Sequence, residues 1–193
     1  MKRALKFCLI SSTVLMLAGC GDKFEPTEST VYVTSKGKVR SAVMESFEES
    51  YYDFEELTED VELAVESYCT DVKKDGVKLD SLTEKEDVVT LRMDYASVSD
   101  YADFNDVILF SGTFSEAVAA GYRPTALCDA DGQPVTLTEE EKDKLKVIVT
   151  EENICIQTSE TIKYVSDNVT IMDKKLAKAF EAGKTHLAFV LYK

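Results

Sequence analysis

From residue 30 onward, turn-forming residues cut the chain into short apolar runs, and most of these alternate at every second position. In DVVTLRMDY, Val89, Leu91, Met93 and Tyr95 fall on one side of an extended chain. Val88, Thr90, Arg92 and Asp94 fall on the other. TVYVTSKGKVRSAVM alternates on both sides of Gly37, which reads as a hairpin, and VKLDSL with DVVTLRMDY reads as another. TALCDADGQPVTL is predicted to be a third hairpin, closed by Asp129 to Gly132. KVIVT, NICIQ, TIKYV and HLAFVLY supply further strands, and the apolar DVILFSG suits a central one. Helices are fewer. Asp53 with Glu56 and Thr113 with Glu116 have capping-box spacing, and Phe54, Leu57, Val61, Ala64, Val65 and Tyr68 line one helical face. A short helix is expected within SVSDYADFN, and another in MDKKLAKAFEAG, where Leu176 and Phe180 stand four apart before Gly183. The pattern predicts an α+β fold, a mainly antiparallel sheet built from hairpins with about two to four short helices.

The N-terminus obeys different rules. Lys2, Arg3 and Lys6 precede an apolar run from Phe7 to Leu17, interrupted by Ser11, Ser12 and Thr13, and small residues Ala18 and Gly19 lead to Cys20. That run falls short of the ~20 apolar residues a membrane span requires and fits the apolar core of a secretory signal. Leu17-Ala18-Gly19-Cys20 resembles the lipobox of bacterial lipoproteins, in which the cysteine thiol accepts a diacylglycerol before cleavage just ahead of it. The resemblance implies a signal peptide over 1–19, lipid attachment at Cys20, a lipidated tether over 20–29 and one globular domain over 30–193. It also implies an extracytoplasmic protein anchored to the bacterial cell membrane. The compact acidic body is similar to small uncharacterised lipoproteins of Gram-positive anaerobes, a likeness of composition that carries no activity.

Removing 1–19 takes three of the 22 basic residues and leaves 19 against 36 acidic ones, a net charge of −17. Such a domain repels nucleic acid and anionic headgroups, so membrane contact is expected through the acyl chains. Of five cysteines, Cys8 leaves with the signal and Cys20 takes the lipid. Cys69, Cys128 and Cys155 then read as reduced core residues, with a Cys128–Cys155 bridge as the alternative.

No nucleophile, zinc or phosphate-loop motif is present, and His186 is the only histidine. Neither catalytic residues nor a cofactor are expected. The one weak metal candidate is the acidic, aromatic segment holding Asp94, Asp100, Asp103 and Asp106, whose hard oxygens suit calcium. SYYDFEE and DYADFND share a Tyr-x-Asp-Phe core, read as common helix-start chemistry in preference to a duplicated unit. The leading functional expectation is a binding or interaction module for an envelope protein, peptide or glycan. The alternatives are an envelope enzyme using a carboxylate pair and a structural subunit of an envelope complex.

Overall fold

The structure, a computed structural model, describes residues 23–49 and 52–193. Cys20 and the segment expected to be a signal peptide lie outside the described residues. β1 (Thr30–Val33) and β2 (Val39–Ser46) form the first hairpin, with Gly37 at φ +75° in the turn. Helix α1 (Phe54–Asp71) follows, with Asp53 accepting from the backbone N–H groups of Glu55 and Glu56. β3 (Val77–Lys85) and β4 (Val88–Tyr95) form the long second hairpin, turned by Glu86 and Asp87, both at positive φ. Next come α2 (Val98–Asn105), capped by Ser97, and β5 (Leu109–Thr113). α3 (Phe114–Ala119) opens with the full Thr113–Glu116 capping box. β6 (Leu127–Cys128) and β7 (Pro134–Val135) are short. α4 (Glu139–Lys142) carries a second capping box, Thr138 with Glu141. The chain ends in strands β8 (Lys146–Thr150), β9 (Cys155–Thr158), β10 (Ile162–Ser166), β11 (Val169–Asp173), β12 (Leu176–Ala179) and β13 (Ala188–Tyr192).

These strands make two sheets. One runs β11-β12-β9-β1-β2-β4-β3 and the other β5-β8-β13-β10-β6-β7. Among the described strands every pairing is antiparallel except β1 with β9. The fold is therefore the expected α+β, dominated by antiparallel sheet. The main core joins one face of each sheet, Val31, Val33, Val39, Met93 and Ile156 from the first with Ile148, Val165, Val190 and Tyr192 from the second. Helix α1 packs onto this same inner side through Val61, Val65 and Tyr68. A second core lies on the other face of the six-stranded sheet, where Val147, Val149, Phe189 and Leu191 meet Phe114, Ala117, Leu137 and Leu145.

Three expectations are corrected. MDKKLAKAFEAG is not helical; its first eight residues complete the β11–β12 hairpin. Ala177 and Ala179 are buried, Lys178 between them is exposed, and β12 pairs with both β11 and β9. Four residues of period two, backed by two neighbouring ladders, outweigh a single i, i+4 apolar pair. DVILFSG is not central either. β5 is an edge strand, and its apolar residues are covered by α2 and α3. The central position belongs to β13, whose five residues are all buried. The Tyr-x-Asp-Phe echo also dissolves. Asp53 caps the start of α1, whereas Tyr101 to Phe104 lie inside α2, which Ser97 caps.

Candidate functional site

The stretch read as a tether is attached to the domain from residue 23 onward. Phe24 is only 6% exposed, because its ring stacks on Tyr32 at 5.9 Å and is covered by the guanidinium groups of Arg40 (5.1 Å) and Arg92 (5.9 Å). The backbone is tied as well, with Arg92 donating to the Phe24 carbonyl and Gln157 to that of Lys23. Further on, Glu28 pairs with Lys178, which holds the Glu28 carboxyl below its ordinary value. The register explains why these groups meet. Tyr32 lies opposite Arg40 and Gln157, Arg40 opposite Asp94, Asp94 opposite Lys78, Ala42 opposite Arg92, and Lys178 opposite Cys155. All stand on the outer face of the seven-stranded sheet, away from the main core. At its rim a hollow of about 340 Å³ is lined by Lys38, Arg40, Lys78, Asp75 and Asp94.

The four candidate aspartates serve different ends. Asp94 pairs with Arg40 at 3.2 Å on the outer face. Asp100 is 2% exposed and accepts from Lys73 at 2.6 Å, from the Ser97 hydroxyl at 2.5 Å and from the Tyr68 hydroxyl at 3.3 Å. Burial alone would raise the Asp100 carboxyl, but these donors and the Lys73 charge outweigh it and hold the group below its ordinary value. The cluster is tight enough that a Cβ on Gly76 would lie 2.9 Å from Tyr68 and 3.1 Å from Asp100. Asp103 and Asp106 border a separate shallow hollow with Glu151 and Lys184. Among the described residues no group of three or more His, Cys, Asp or Glu side chains is placed to hold a metal ion.

A second carboxylate pairing follows β8. Glu152 accepts from the Tyr101 hydroxyl at 3.0 Å, and burial pushes the carboxyl up. Its neighbour Glu151 accepts from the backbone N–H of Ile108. Cys69, Cys128 and Cys155 are all free thiols, so the Cys128–Cys155 bridge is not made; the two sit in different sheets. Burial, with Glu28 beside it, pushes the Cys155 thiol up to about 11. His186 faces Asp167 at 3.3 Å. The DADG stretch is a turn, with Asp129 accepting from the backbone of Asp131 and Gln133 and Gly132 at φ +74°.

The inner side of the first sheet carries a strongly acidic surface. Helix α1 holds seven carboxylates and no lysine or arginine, and Leu63 in its middle is 61% exposed. At its head Phe47 stacks on Tyr52 (4.9 Å) and meets Phe54 edge-on (6.4 Å). Tyr52 is 45% exposed, and Glu48, Glu49, Asp53, Glu55 and Glu56 surround the rings in sequence, all exposed. Comparison with family models, with curated proteins and with solved structures returned no match.

Sequence reading missed the Phe24 site. The available signal was slight, a lone aromatic in a polar segment and three arginines after Cys20, two of which turn out to cover it.

Proposed function

We propose that this protein is a lipid-anchored extracytoplasmic binding module, held to the bacterial cell membrane through acylated Cys20, whose acidic helix takes a cationic segment of an envelope protein or peptide. The anchor rests on Leu17-Ala18-Gly19-Cys20 and the short apolar run before it. The binding half is carried by one observation, the Phe47–Tyr52–Phe54 cluster, with Tyr52 exposed and the two phenylalanines half-buried, at the head of a helix bearing seven carboxylates. Lysine and arginine side chains sit well on aromatic faces while their charge meets neighbouring carboxylates, and an exposed apolar residue such as Leu63 adds contact area. Chemistry of this kind favours a basic peptide surface over a neutral glycan.

The test uses full-length protein in its host membrane. Mass analysis of the N-terminal peptide is expected to show diacylglycerol on Cys20, and Cys20→Ala is expected to release protein from the membrane or leave it unprocessed. A photoreactive residue at position 63 is expected to capture a basic envelope protein, with capture falling on Tyr52→Ser. Membrane partitioning and processing unchanged by Cys20→Ala would overturn the anchor. Absence of any adduct from position 63, with the lipid present, would overturn the binding reading.

A further inference from the structure

We infer that the outer face of the seven-stranded sheet is the membrane-facing surface of the domain, and that its cations read the anionic headgroups of the bilayer. The inference rests on the proposed lipid at Cys20 and adds to it an orientation and a lipid preference.

Three observations carry it. The first is reach. Were residues 21–29 a free tether, they would extend ~30 Å and let the domain turn in any direction. Phe24 instead is clamped by Tyr32, Arg40 and Arg92, so only residues 21–23 separate Cys20 from the first docked side chain. That interval spans at most ~14 Å, comparable to the distance over which a charged membrane surface acts. The second is charge placement. The chain beyond Cys20 is strongly acidic, yet Arg40, Lys78, Arg92 and Lys178 gather on the outer face; Asp173 stands at its far edge, a Lys23–Glu25 ion pair lies in the segment docked on it, exposed Lys38 stands at its rim, and its remaining carboxylates here are Asp94 and Glu28. Arg40 and Lys178 have those two carboxylates as partners, while Lys38 and Lys78 are exposed at the rim beside Asp75.

The third is polarity across the sheet. α1 packs on the inner side, opposite the Phe24 segment, and its seven carboxylates bear no basic residue among them. An anionic bilayer repels that side and attracts the other, so both terms turn the domain the same way. Net charge alone predicts repulsion from such a bilayer; the distribution of charge instead gathers cations at the one face the anchor presents. The acidic helix is then directed away from the membrane, where a partner can reach it.

The experiment compares full-length lipidated protein in phosphatidylglycerol-containing vesicles with the same protein in pure phosphatidylcholine vesicles. Lysines are labelled briefly with an amine reagent and read by mass spectrometry. Each cation near an anionic surface is worth roughly fivefold in partitioning. Lys78 and Lys178 are therefore expected to label several-fold more slowly on phosphatidylglycerol, with Lys144 and Lys184 unchanged. The protection is expected to vanish in ~1 M salt, where screening shortens to ~3 Å. The double variant Lys38→Glu, Lys78→Glu changes two exposed side chains outside the core and is expected to remain anchored while losing the protection of Lys178. If the N-terminal peptide lacks the lipid, the anchor reading falls, and the orientation falls with it. If the lipid is present and Lys78 and Lys178 label equally on both vesicle types, the anchor stands and the orientation is overturned. Protection that is equally strong on phosphatidylcholine and indifferent to salt overturns it too, because headgroup charge is then not what the face reads.

Discussion

Asp100 is the buried charge on which the junction of α1, α2 and the β3 approach depends, and replacing it with asparagine tests that account. The substitution keeps the shape and removes the charge. Three donors converge on the carboxylate, from Lys73, Ser97 and Tyr68. A hydrogen bond to a charged group contributes about 1.5–3 kcal/mol. The Lys73 side chain is half-exposed, so its bond is discounted to ~1 kcal/mol or less, and the 3.3 Å bond from Tyr68 is weak. The Ser97 bond is short, and Ser97 also caps α2. An amide oxygen in place of Oδ2 keeps Lys73 and Ser97 as donors, and the amide nitrogen faces the Tyr68 hydroxyl, which can turn to accept. What the substitution removes is the charge that strengthens the Lys73 and Ser97 bonds. The expected loss for Asp100→Asn is ~3 kcal/mol at neutral pH, a fall in Tm of roughly 6–12 °C for a chain of this size. The pH dependence fixes the cause. A carboxyl whose folded pKa lies below its unfolded value stabilises the fold above the unfolded value, about 3.9, and loses that contribution as pH falls through the folded value. Denaturation of wild type and variant side by side should therefore show a gap that is constant down to about pH 5 and closes progressively below about pH 4. A gap under ~1 kcal/mol, or one that persists unchanged into acid, would refute the reasoning.

Two further substitutions separate alternatives elsewhere. Phe24→Ala is expected to cost about 2–3 kcal/mol, below the range for a fully enclosed phenylalanine because its pocket lies at the surface, and to expose residues 23–29 to protease; a free tether would show neither effect. Glu152→Gln keeps an acceptor for Tyr101 and removes a charge that burial disfavours. Because the folded carboxyl is raised, the wild type loses stability as pH rises from the unfolded value, about 4.3, through the folded one. The variant should match wild type in acid and exceed it by up to ~1 kcal/mol at pH 7 in denaturant titrations, and a variant that is weaker at every pH would contradict this.

What the sequence made legible and what it hid divide along one physical line. Local signals were readable. Gly37, the Asp129–Gly132 turn and the Thr113–Glu116 box each act within a few residues, and each appears where the pattern puts it. Period-two alternation found most strands for the same reason. What the pattern could not show is which strands become neighbours, and that decided the two main errors. Leu176 and Phe180 look helical until β9 and β11 offer Ala177 and Ala179 a ladder on each side. An unbroken apolar run such as DVILFSG reports burial without saying whether strands or helices supply it. The Phe24 site is the extreme case, since it joins residues 24, 32, 40, 92 and 157 across four strands and exists only once the register is set. Charge shows the same limit. A net value of −17 is a sum over residues 20–193 and is blind to the sheet that separates α1 from Arg40, Lys78, Arg92 and Lys178. An acidic helix on one side of a sheet and a cluster of cations on the other give the domain a direction. The proposed anchor, attached beside that cluster, would turn the direction into an orientation.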